Sequence, residues 1–229
     1  MSMLRVALPT GTLLPGACDL LREAGVATLQ PSMFDELLLV SSPSPGQGSP
    51  QSPVMEFVKI RPTDVPVYVE MGACDVGVVG KDMLWESARD CYELVDLHFG
   101  DCRLVLAAPD SSPLAKGQWP PSLRVATKYP KAARRFFDRI GVAAELIKLH
   151  GSVELAPLTG LADAVLDITA TGRTLRANRL AEVAEAGRST ARLIVNQASL
   201  KTRAGEVNDL ASALRRAVEA RATAARGAA

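Results

Sequence analysis

The chain has 229 residues and a formal net charge of +1 at pH 7, with 26 Lys and Arg against 25 Asp and Glu. Its length allows one or two domains, and its 48% hydrophobic and 22% charged residues are typical of a globular protein. The balanced charge excludes a global basic field for nucleic acid or an anionic membrane, and no apolar run reaches the roughly 20 residues that a bilayer span requires.

Short β-rich runs alternate with amphipathic helical stretches along the chain. Strands are predicted at residues 4–8, 37–40, 54–60, 75–79, 92–97, 103–107, 123–126, 144–149, 164–168 and 192–196. Helices are predicted at residues 14–24, 63–71, 81–88, 131–140, 152–158 and 200–222. Because helices separate the strands, we expect an α/β fold with mostly parallel sheets. Residues 41–53, rich in Ser, Pro and Gly, are expected to form a flexible loop.

Two short patterns occur twice and in the same order. Leu-Arg-Val-Ala at residues 4–7 recurs at residues 123–126, and Gly-x-x-Asp at residues 72–75 recurs at residues 160–163. The repeats predict two related lobes with a ligand cleft between them, outside the carboxyl ends of the strands. We expect residues 1–97 and 185–229 to form lobe one, and residues 98–184 to form lobe two.

The cysteines and the N-terminus indicate a cellular compartment. Cys18, Cys74, Cys91 and Cys102 show no C-x-x-C spacing, and the N-terminal residues lack the apolar stretch of a signal peptide. We therefore expect reduced, mostly buried thiols in a cytoplasmic protein, without a dedicated metal site.

The segment from Asp167 to Leu175 carries the strongest chemical pattern. The predicted strand delivers the Asp167 carboxylate at its end, a loop of small residues follows, and a helix-forming run begins after it. Backbone N–H groups in such a loop bind anions, Thr171 and Thr174 add hydroxyl donors, and Gly172 lets the backbone approach a phosphate. Since Asp167 can accept from two ribose hydroxyls, the pattern predicts a site for a phosphorylated ribose. The competing interpretation is a polar loop with a capped helix.

Other candidate residues each admit two interpretations. Gly77, Gly80, Lys81 and Asp82 predict either a second anion or base pocket or only tight strand-to-helix packing, and neither a Rossmann nor a Walker pattern is present. Three further side chains are candidates for the cleft, with surface ion pairing or a helix-dipole contact as the alternative. These are Arg61, Lys128 and Glu154.

Several stretches together resemble the short-form catalytic subunits of the ATP phosphoribosyltransferase family. The matching stretches are residues 64–70, 77–82, 126–130, 151–163, 167–175 and 191–196, in the family's order. The resemblance implies the fold of type II periplasmic binding proteins. It also implies the first step of histidine biosynthesis, in which N1 of ATP displaces pyrophosphate from C1 of phosphoribosyl pyrophosphate (PRPP).

The resemblance implies roles for residues at two substrate sites. Asp167 and Glu154 are the implied catalytic residues. PRPP would be bound by Asp167, Thr169, Ala170, Thr171, Gly172, Arg173 and Thr174. ATP would be bound by Gly11, Arg61, Gly80, Lys81 and Asp82. Mg²⁺ would be held mainly through substrate phosphates, and the implied partner of a homodimer is a regulatory subunit similar to histidyl-tRNA synthetase.

Two stretches depart from the family's pattern. Thr10 and Thr12 stand where the family usually has a lysine and an arginine, and Asp35 stands near the place of another arginine. Those basic groups are expected to hold ATP phosphates and the departing pyrophosphate. The sequence therefore leaves a second reading open, a ligand-binding or regulatory paralogue with reduced or no turnover.

Overall fold

The structure, a computed structural model, describes residues 3–43 and 54–227, and its chain divides into two units. Unit 1 is formed by Met1–Gly100 and Thr190–Ala229, and unit 2 is formed by Asp101–Ser189. The chain thus enters unit 2 once and returns to unit 1 once. Most of the predicted loop at residues 41–53 lies outside the described residues, as residues 44–53 are not described.

Strands and helices alternate through both units, as the sequence predicts. The strands are β1 (Arg5–Pro9), β2 (Leu39–Pro43), β3 (Val54–Ile60), β4 (Val76–Gly80), β5 (Tyr92–Asp96), β6 (Cys102–Pro109), β7 (Leu123–Thr127), β8 (Ala144–Lys148), β9 (Ala164–Thr169), β10 (Leu180–Ser189) and β11 (Ala191–Val195). The helices are α1 (Leu13–Glu23), α2 (Val65–Glu70), α3 (Lys81–Ser87), α4 (Pro130–Ile140), α5 (Leu155–Leu158), α6 (Arg173–Ala177), α7 (Gln197–Thr202) and α8 (Ala204–Gly227). Single 3₁₀ turns occur at Pro31–Phe34 and Leu114–Lys116.

Each unit is built on one sheet with helices packed against it. The unit 1 sheet has the order β2-β3-β1-β4-β11-β5, and the unit 2 sheet has the order β10-β6-β9-β7-β8. Alternate residues of β1 and β4 point to opposite faces of the sheet, so Val6 and Val78 join one apolar cluster with α1 and α8, while Ala7 and Val79 join another with α2. Both faces of these central strands are therefore buried.

The expectation of mostly parallel sheets is corrected by the strand pairing. Among pairs of described strands, four are parallel and five are antiparallel, so both sheets are mixed. Two of the antiparallel pairs follow from the chain's path. The chain leaves unit 1 through β5 and β6 and returns through β10 and β11, so each outgoing strand meets a returning strand of opposite direction.

Several element boundaries also differ from the sequence prediction. β10 is a ten-residue strand that the sequence prediction left out, and β2 continues to Pro43, so the predicted loop begins later than residue 41. The helix predicted at 152–158 is only Leu155–Leu158, because Ser152 has φ +46° and cannot belong to a right-handed helix. The helix predicted at 200–222 is two helices, α7 and α8, that meet at Arg203.

The internal repeat is visible in the structure as two equivalent arginine–aspartate pairs. In unit 1, the Arg5 amide donates to Asp75 Oδ2 at 2.8 Å and the Asp75 amide donates to the Arg5 carbonyl at 2.9 Å. In unit 2, the Arg124 amide donates to Asp163 Oδ2 at 2.9 Å, and the return bond from the Asp163 amide is also 2.9 Å. Each aspartate follows a turn whose glycine, Gly72 or Gly160, has positive φ.

The two aspartates should differ in their effect on stability although they are equivalent in the repeat. Asp75 is 17% exposed and binds Arg203, whereas Asp163 is 42% exposed and binds Arg124. We expect Asp75→Asn to lower the free energy of unfolding by about 1.5–3 kcal/mol. Asp163→Asn should lower it by less than about 1 kcal/mol, because its ion pair is solvated. Chemical denaturation of both variants measures the difference, and equal losses would contradict this account.

Candidate functional site

The strongest candidate site lies at one edge of the unit 2 sheet. β7 and β9 are parallel neighbours, with Val125 opposite Ala164 and Thr127 opposite Leu166, so their carboxyl ends meet at the same edge. Lys128 directly follows β7, and Asp167 lies near the end of β9. The apolar residues of β9, from Ala164 to Leu166, are buried and hold the strand in the sheet.

A cavity of about 410 Å³ opens at this edge. It is lined by residues from three segments of unit 2: the position after β7, the turn before α5, and the end of β9 with the loop into α6. They are Lys128, Ser152, Val153, Glu154, Val165, Asp167, Ile168, Thr169, Ala170, Thr171, Arg173, Thr174 and Leu175. The cavity therefore brings together Asp167, Glu154 and most of the loop predicted to bind a phosphorylated ribose.

Asp167 is the central charged group of this cavity. Its side chain is 16% exposed, and its Oδ2 lies 3.6 Å from Lys128 Nζ. Burial raises the pKa of the Asp167 carboxyl, the Lys128 ammonium opposes that rise, and the nearby Glu154 carboxylate adds to it. Asp167 Oδ1 accepts from the Ile168 amide at 2.9 Å. A poorly solvated carboxylate with one weakly held counter-ion suits the binding of hydroxyl donors.

The loop between β9 and α6 presents donors to the cavity. Thr171, Arg173 and Thr174 are exposed and line it, together with Ala170. Their hydroxyls, guanidinium and backbone amides match the oxygen acceptors of a phosphate.

Gly172 is the turn glycine of this loop. It is buried and is not among the residues that line the cavity. Its amide donates to Thr169 Oγ1 at 2.8 Å, and a Cβ there would point toward Arg176 Nη1 and Glu182 Oε1, at 2.8 and 3.0 Å. Its φ of +69° is the reason for glycine, because this turn requires the left-handed conformation. Gly172 therefore shapes the loop, and its close approach to a phosphate stays a prediction.

Two lining residues were not predicted for the site. Ser152 was expected within a helix, but it lies in the turn before α5 with φ +46°, a conformation that a non-glycine residue rarely adopts. Val153 is buried beside it. The residues Gly151-Ser152 gave no separate signal for this turn, because the sequence pattern placed Ser152 at the start of the helix predicted at 152–158. Lys128 was recognised only as a candidate for a phosphate contact.

The residues predicted for ATP lie in unit 1. Gly11 follows β1 and Arg61 follows β3, and because these strands are parallel, both residues lie at the same edge of the sheet. Gly80 ends β4, which is parallel to β1, and a Cβ on Gly80 would collide with Asp82 Oδ1. Lys81 forms an ion pair with Glu93, and Asp82 is 7% exposed. Gly11 and Arg61 are exposed, whereas the charge of Lys81 is already paired with the Glu93 carboxylate.

The structure also addresses metal sites and membrane segments. In the described ranges 3–43 and 54–227, no group of three or more His, Cys, Asp or Glu side chains is arranged to hold a metal ion. Within the same part of the chain, no helix combines the length and the apolar character needed to cross a bilayer.

All four cysteines are free thiols, and burial raises the pKa of Cys18, Cys74 and Cys91 to about 11. These thiols are therefore poor nucleophiles at neutral pH.

Comparison with known sequences gives a consistent result. The HisG family model, described as ATP phosphoribosyltransferase, matches residues 61–216. The ATP phosphoribosyltransferase of Thermoanaerobacter sp. (strain X514) is 42% identical over 219 residues, which cover 96% of this chain and 98% of that protein. The ATP phosphoribosyltransferase of Rubrobacter xylanophilus is 51% identical over 168 residues, which cover 71% of this chain and 76% of that protein.

Comparison with solved structures supports both the family and the fold. A chain of the ATP phosphoribosyl transferase (HisG:HisZ) complex from Thermotoga maritima aligns with a TM-score of 0.75 and 31% identity, covering 95% of this chain and 99% of that one. The periplasmic aliphatic sulphonate binding protein SsuA from Escherichia coli aligns with a TM-score of 0.59 at 11% identity, covering 99% and 76%, which shows the fold alone. The α/β fold of two lobes that the resemblance implies is confirmed, and this chain belongs to the ATP phosphoribosyltransferase family.

Proposed function

We propose that the unit 2 cavity is the PRPP site of an ATP phosphoribosyltransferase. The observation that supports this proposal is the meeting of a partly buried carboxylate, Asp167, with the phosphate-type loop 169–174 in one cavity. The family is one of glycosyltransferases, and its name supports a place in histidine biosynthesis. No observation favours the paralogue without turnover.

The reaction needs orientation and charge compensation more than proton transfer. The N1 lone pair of adenine forms a bond to C1 of the ribose, while the C1–O bond to pyrophosphate breaks and its electron pair leaves with pyrophosphate. The adenine nitrogen is already nucleophilic, so no strong general base is required. The protein must therefore align the two substrates and stabilise the charge that grows on pyrophosphate.

The residues of the cavity divide these tasks in our proposal. Asp167 accepts hydrogen bonds from the ribose hydroxyls, and Glu154 contacts the ribose or the pyrophosphate from the opposite segment. Thr171, Arg173 and Thr174 hold the 5′-phosphate, in a loop whose shape depends on Thr169 and Gly172. Lys128 is the cation best placed for the pyrophosphate, because it already stands 3.6 Å from Asp167.

Magnesium is compatible with the cavity as a companion of the substrate. Asp167 and Glu154 both line the cavity and are oxygen donors, the ligand type that Mg²⁺ prefers. No third carboxylate, histidine or cysteine joins these two carboxylates among the described residues. We therefore propose that substrate phosphates supply most of the ligands of the ion. When bound, Mg²⁺ supplies neutralisation of the pyrophosphate charge.

We place ATP at the edge of the unit 1 sheet. Gly11 and Arg61 follow parallel strands there, Arg61 offers an exposed guanidinium, and Gly80 ends the neighbouring β4. Lys81 and Asp82 remain proposed members of this site. Because Lys81 is paired with Glu93, its ammonium is less available to bind a phosphate.

We also propose a regulatory partner for this chain. The solved Thermotoga maritima neighbour is a HisG:HisZ complex, which supports a HisZ-like regulatory subunit similar to histidyl-tRNA synthetase. The homodimer and the cytoplasmic location stay predictions from the sequence. Thr12 and Asp35 are both exposed, so a cation from such a partner could reach the positions where the family usually has arginine.

The test of this function is formation of phosphoribosyl-ATP by the purified chain from ATP and PRPP, with and without the regulatory subunit. We expect product in at least one of the two conditions. PRPP binding without product in either condition would favour the paralogue and overturn the enzymatic proposal.

Lys128 should control the pH range in which PRPP binds. Among the charged groups that line the cavity beside Asp167, Lys128 lowers the carboxyl pKa and Glu154 raises it. Binding needs the ionised carboxylate, so affinity falls as pH falls through the folded-state pKa. Lys128→Met should therefore move this acid limb to higher pH, whereas Lys128→Arg should keep it near the native position. Calorimetric titrations with PRPP between pH 4.5 and 8 measure this shift. If the affinity of Lys128→Met falls at the same pH as that of the native chain, Lys128 does not affect the ionisation of Asp167.

A further inference from the structure

An arginine–glutamate pair lies next to the proposed phosphate loop but outside the lining of the cavity. Arg103 of β6 donates two hydrogen bonds to the Glu182 carboxylate of β10, Nη1 to Oε2 at 2.7 Å and Nη2 to Oε1 at 2.9 Å. Two parallel bonds orient an arginine and a carboxylate more firmly than a single ion contact does. Neither residue is among those that line the PRPP cavity, so neither is placed to touch the ligand directly.

The strand pairing places this pair on the face of the sheet that carries Asp167. Arg103 lies opposite Thr169 in the β6–β9 register, and Asp167 precedes Thr169 by two residues in β9. Cross-strand partners share a face of the sheet, and so do residues two apart in one strand. Glu182 lies opposite Ala107, which is an even number of residues along β6 from Arg103. The arginine–glutamate pair therefore lies on the same face as the proposed site.

The turn glycine connects the pair to the loop. The Gly172 amide donates to Thr169 Oγ1 at 2.8 Å, and a Cβ built on Gly172 would lie 3.0 Å from Glu182 Oε1. The Glu182 carboxylate is therefore a direct neighbour of the turn glycine. Thr171 and Arg173, on either side of this glycine, line the cavity. A displacement of the Glu182 carboxylate would thus move the backbone that carries these two donors.

The negative charge of Glu182 lies beside a loop that we propose for a 5′-phosphate, and like charges repel. Hydrogen bonds from Arg103 lower the pKa of the Glu182 carboxyl, partial burial opposes them, and the charges of Arg103 and Arg176 lower the pKa further. Arg176 contributes less than Arg103 does. Arg103 is therefore the main group that compensates the Glu182 charge next to the loop.

We propose that Arg103 is a positioning residue for PRPP, which holds and neutralises Glu182 and thereby supports the Gly172 turn of the phosphate loop. The proposal rests on the PRPP site of the proposed function. Arg103 acts through Glu182 and not by contact with the substrate. This distinguishes it from Lys128, which lines the cavity.

A double-mutant cycle on Arg103 and Glu182, read by calorimetric titration of the full chain with PRPP, tests this role. Arg103→Met should weaken PRPP binding by about 10-fold, because it leaves the Glu182 carboxylate uncompensated beside the loop. In a Glu182→Gln background the same substitution should change the affinity by less than about 3-fold, since the charge that Arg103 neutralises is gone. Arg103→Lys should recover part of the loss, because lysine keeps the charge but not the two-bond geometry. In steady-state assays the KM for PRPP should rise, and the KM for ATP should not.

Arg124→Met is the matched control. Arg124 forms a comparable ion pair with Asp163 in the same unit, Nη2 to Oδ1 at 2.7 Å, and it does not line the PRPP cavity. This variant loses an arginine and its ion pair and should keep native PRPP affinity. All titrations are made at a temperature where chemical denaturation shows every variant to be folded.

Three results would overturn the positioning role. The first is native PRPP affinity in Arg103→Met. The second is an equal loss in the native and Glu182→Gln backgrounds, which would indicate that Arg103 contacts PRPP itself. The third is a loss in Arg124→Met as large as that in Arg103→Met, which would indicate a general effect of removing an arginine.

Failure of the proposed function has a different signature, because Asp167→Asn tests the PRPP site itself. Weaker PRPP binding in Asp167→Asn with native affinity in Arg103→Met overturns the positioning role alone. Native affinity in both variants, or a native chain that binds no PRPP, overturns the proposed site and the positioning role together.

Discussion

Asp167→Asn should weaken PRPP binding by about 10- to 100-fold, the equivalent of about 1.5–3 kcal/mol for a lost charge-assisted hydrogen bond. The substitution keeps the shape of the side chain but removes the charge that we propose for the ribose hydroxyls. Calorimetric titration with PRPP measures the loss. The free energy of unfolding should not fall, because burial raises the pKa of this carboxyl and ionised Asp167 therefore costs stability at neutral pH.

The sign of this stability effect follows from the pKa. A carboxyl whose folded-state pKa is raised adds stability below its unfolded pKa, and that contribution is lost as the pH rises through the folded pKa. At neutral pH this stabilising contribution is already absent from the native chain. Replacing Asp167 with Asn should therefore not lower the free energy of unfolding. Asp110→Asn, at an exposed position of the same unit, is the control and should change neither property. Native PRPP affinity in Asp167→Asn would remove Asp167 from the site.

Gly172→Val should abolish most PRPP binding and also cost stability. A β-branched residue at φ +69° is strained by about 1–3 kcal/mol, and its Cβ would press on Arg176 and Glu182. The loop must therefore change shape, which moves Thr171 and Thr174 away from their places at the cavity. We expect at least a 30-fold loss of PRPP affinity, measured at a temperature where the variant is folded.

Gly141→Val separates strain from function. Gly141 ends α4 in the same unit with the same φ of +69°, and no atom lies within 4 Å of a Cβ built there. This variant should lose a similar amount of stability and keep native PRPP affinity. If Gly172→Val binds PRPP as tightly as Gly141→Val does, the loop that contains Gly172 does not hold the 5′-phosphate.

Local sequence patterns predicted the parts of the fold that depend on local physics. The alternation of strands and helices, the repeat and the end of β9 at a phosphate-type loop could be read from hydrophobic pattern and turn residues. Asp167, Thr171 and Thr174, which line the proposed PRPP cavity, were found this way, because a strand end and the loop after it are neighbours in sequence, whereas the role of Glu154 came from the family resemblance. The roles of these residues stay predictions.

Features that depend on distant partners could not be read in the same way. β10 contains Ala, Glu and Gly, which disfavour strands, and it forms because its backbone pairs with β6 at the edge of the sheet. The antiparallel strands follow from the chain's return to unit 1, which no local pattern indicates. The left-handed Ser152 and the contact of Lys128 with Asp167 likewise arise from packing between segments far apart in sequence.

Hydrogen–deuterium exchange of the full chain with and without PRPP is the most direct test of the central claim. We expect slower amide exchange on PRPP binding in residues 152–154 and 167–175, the two segments that contribute most of the residues lining the cavity. ATP alone should leave these segments unchanged. PRPP binding that protects other segments and leaves the 167–175 loop at its native exchange rate would contradict the claim that this cavity is the PRPP site.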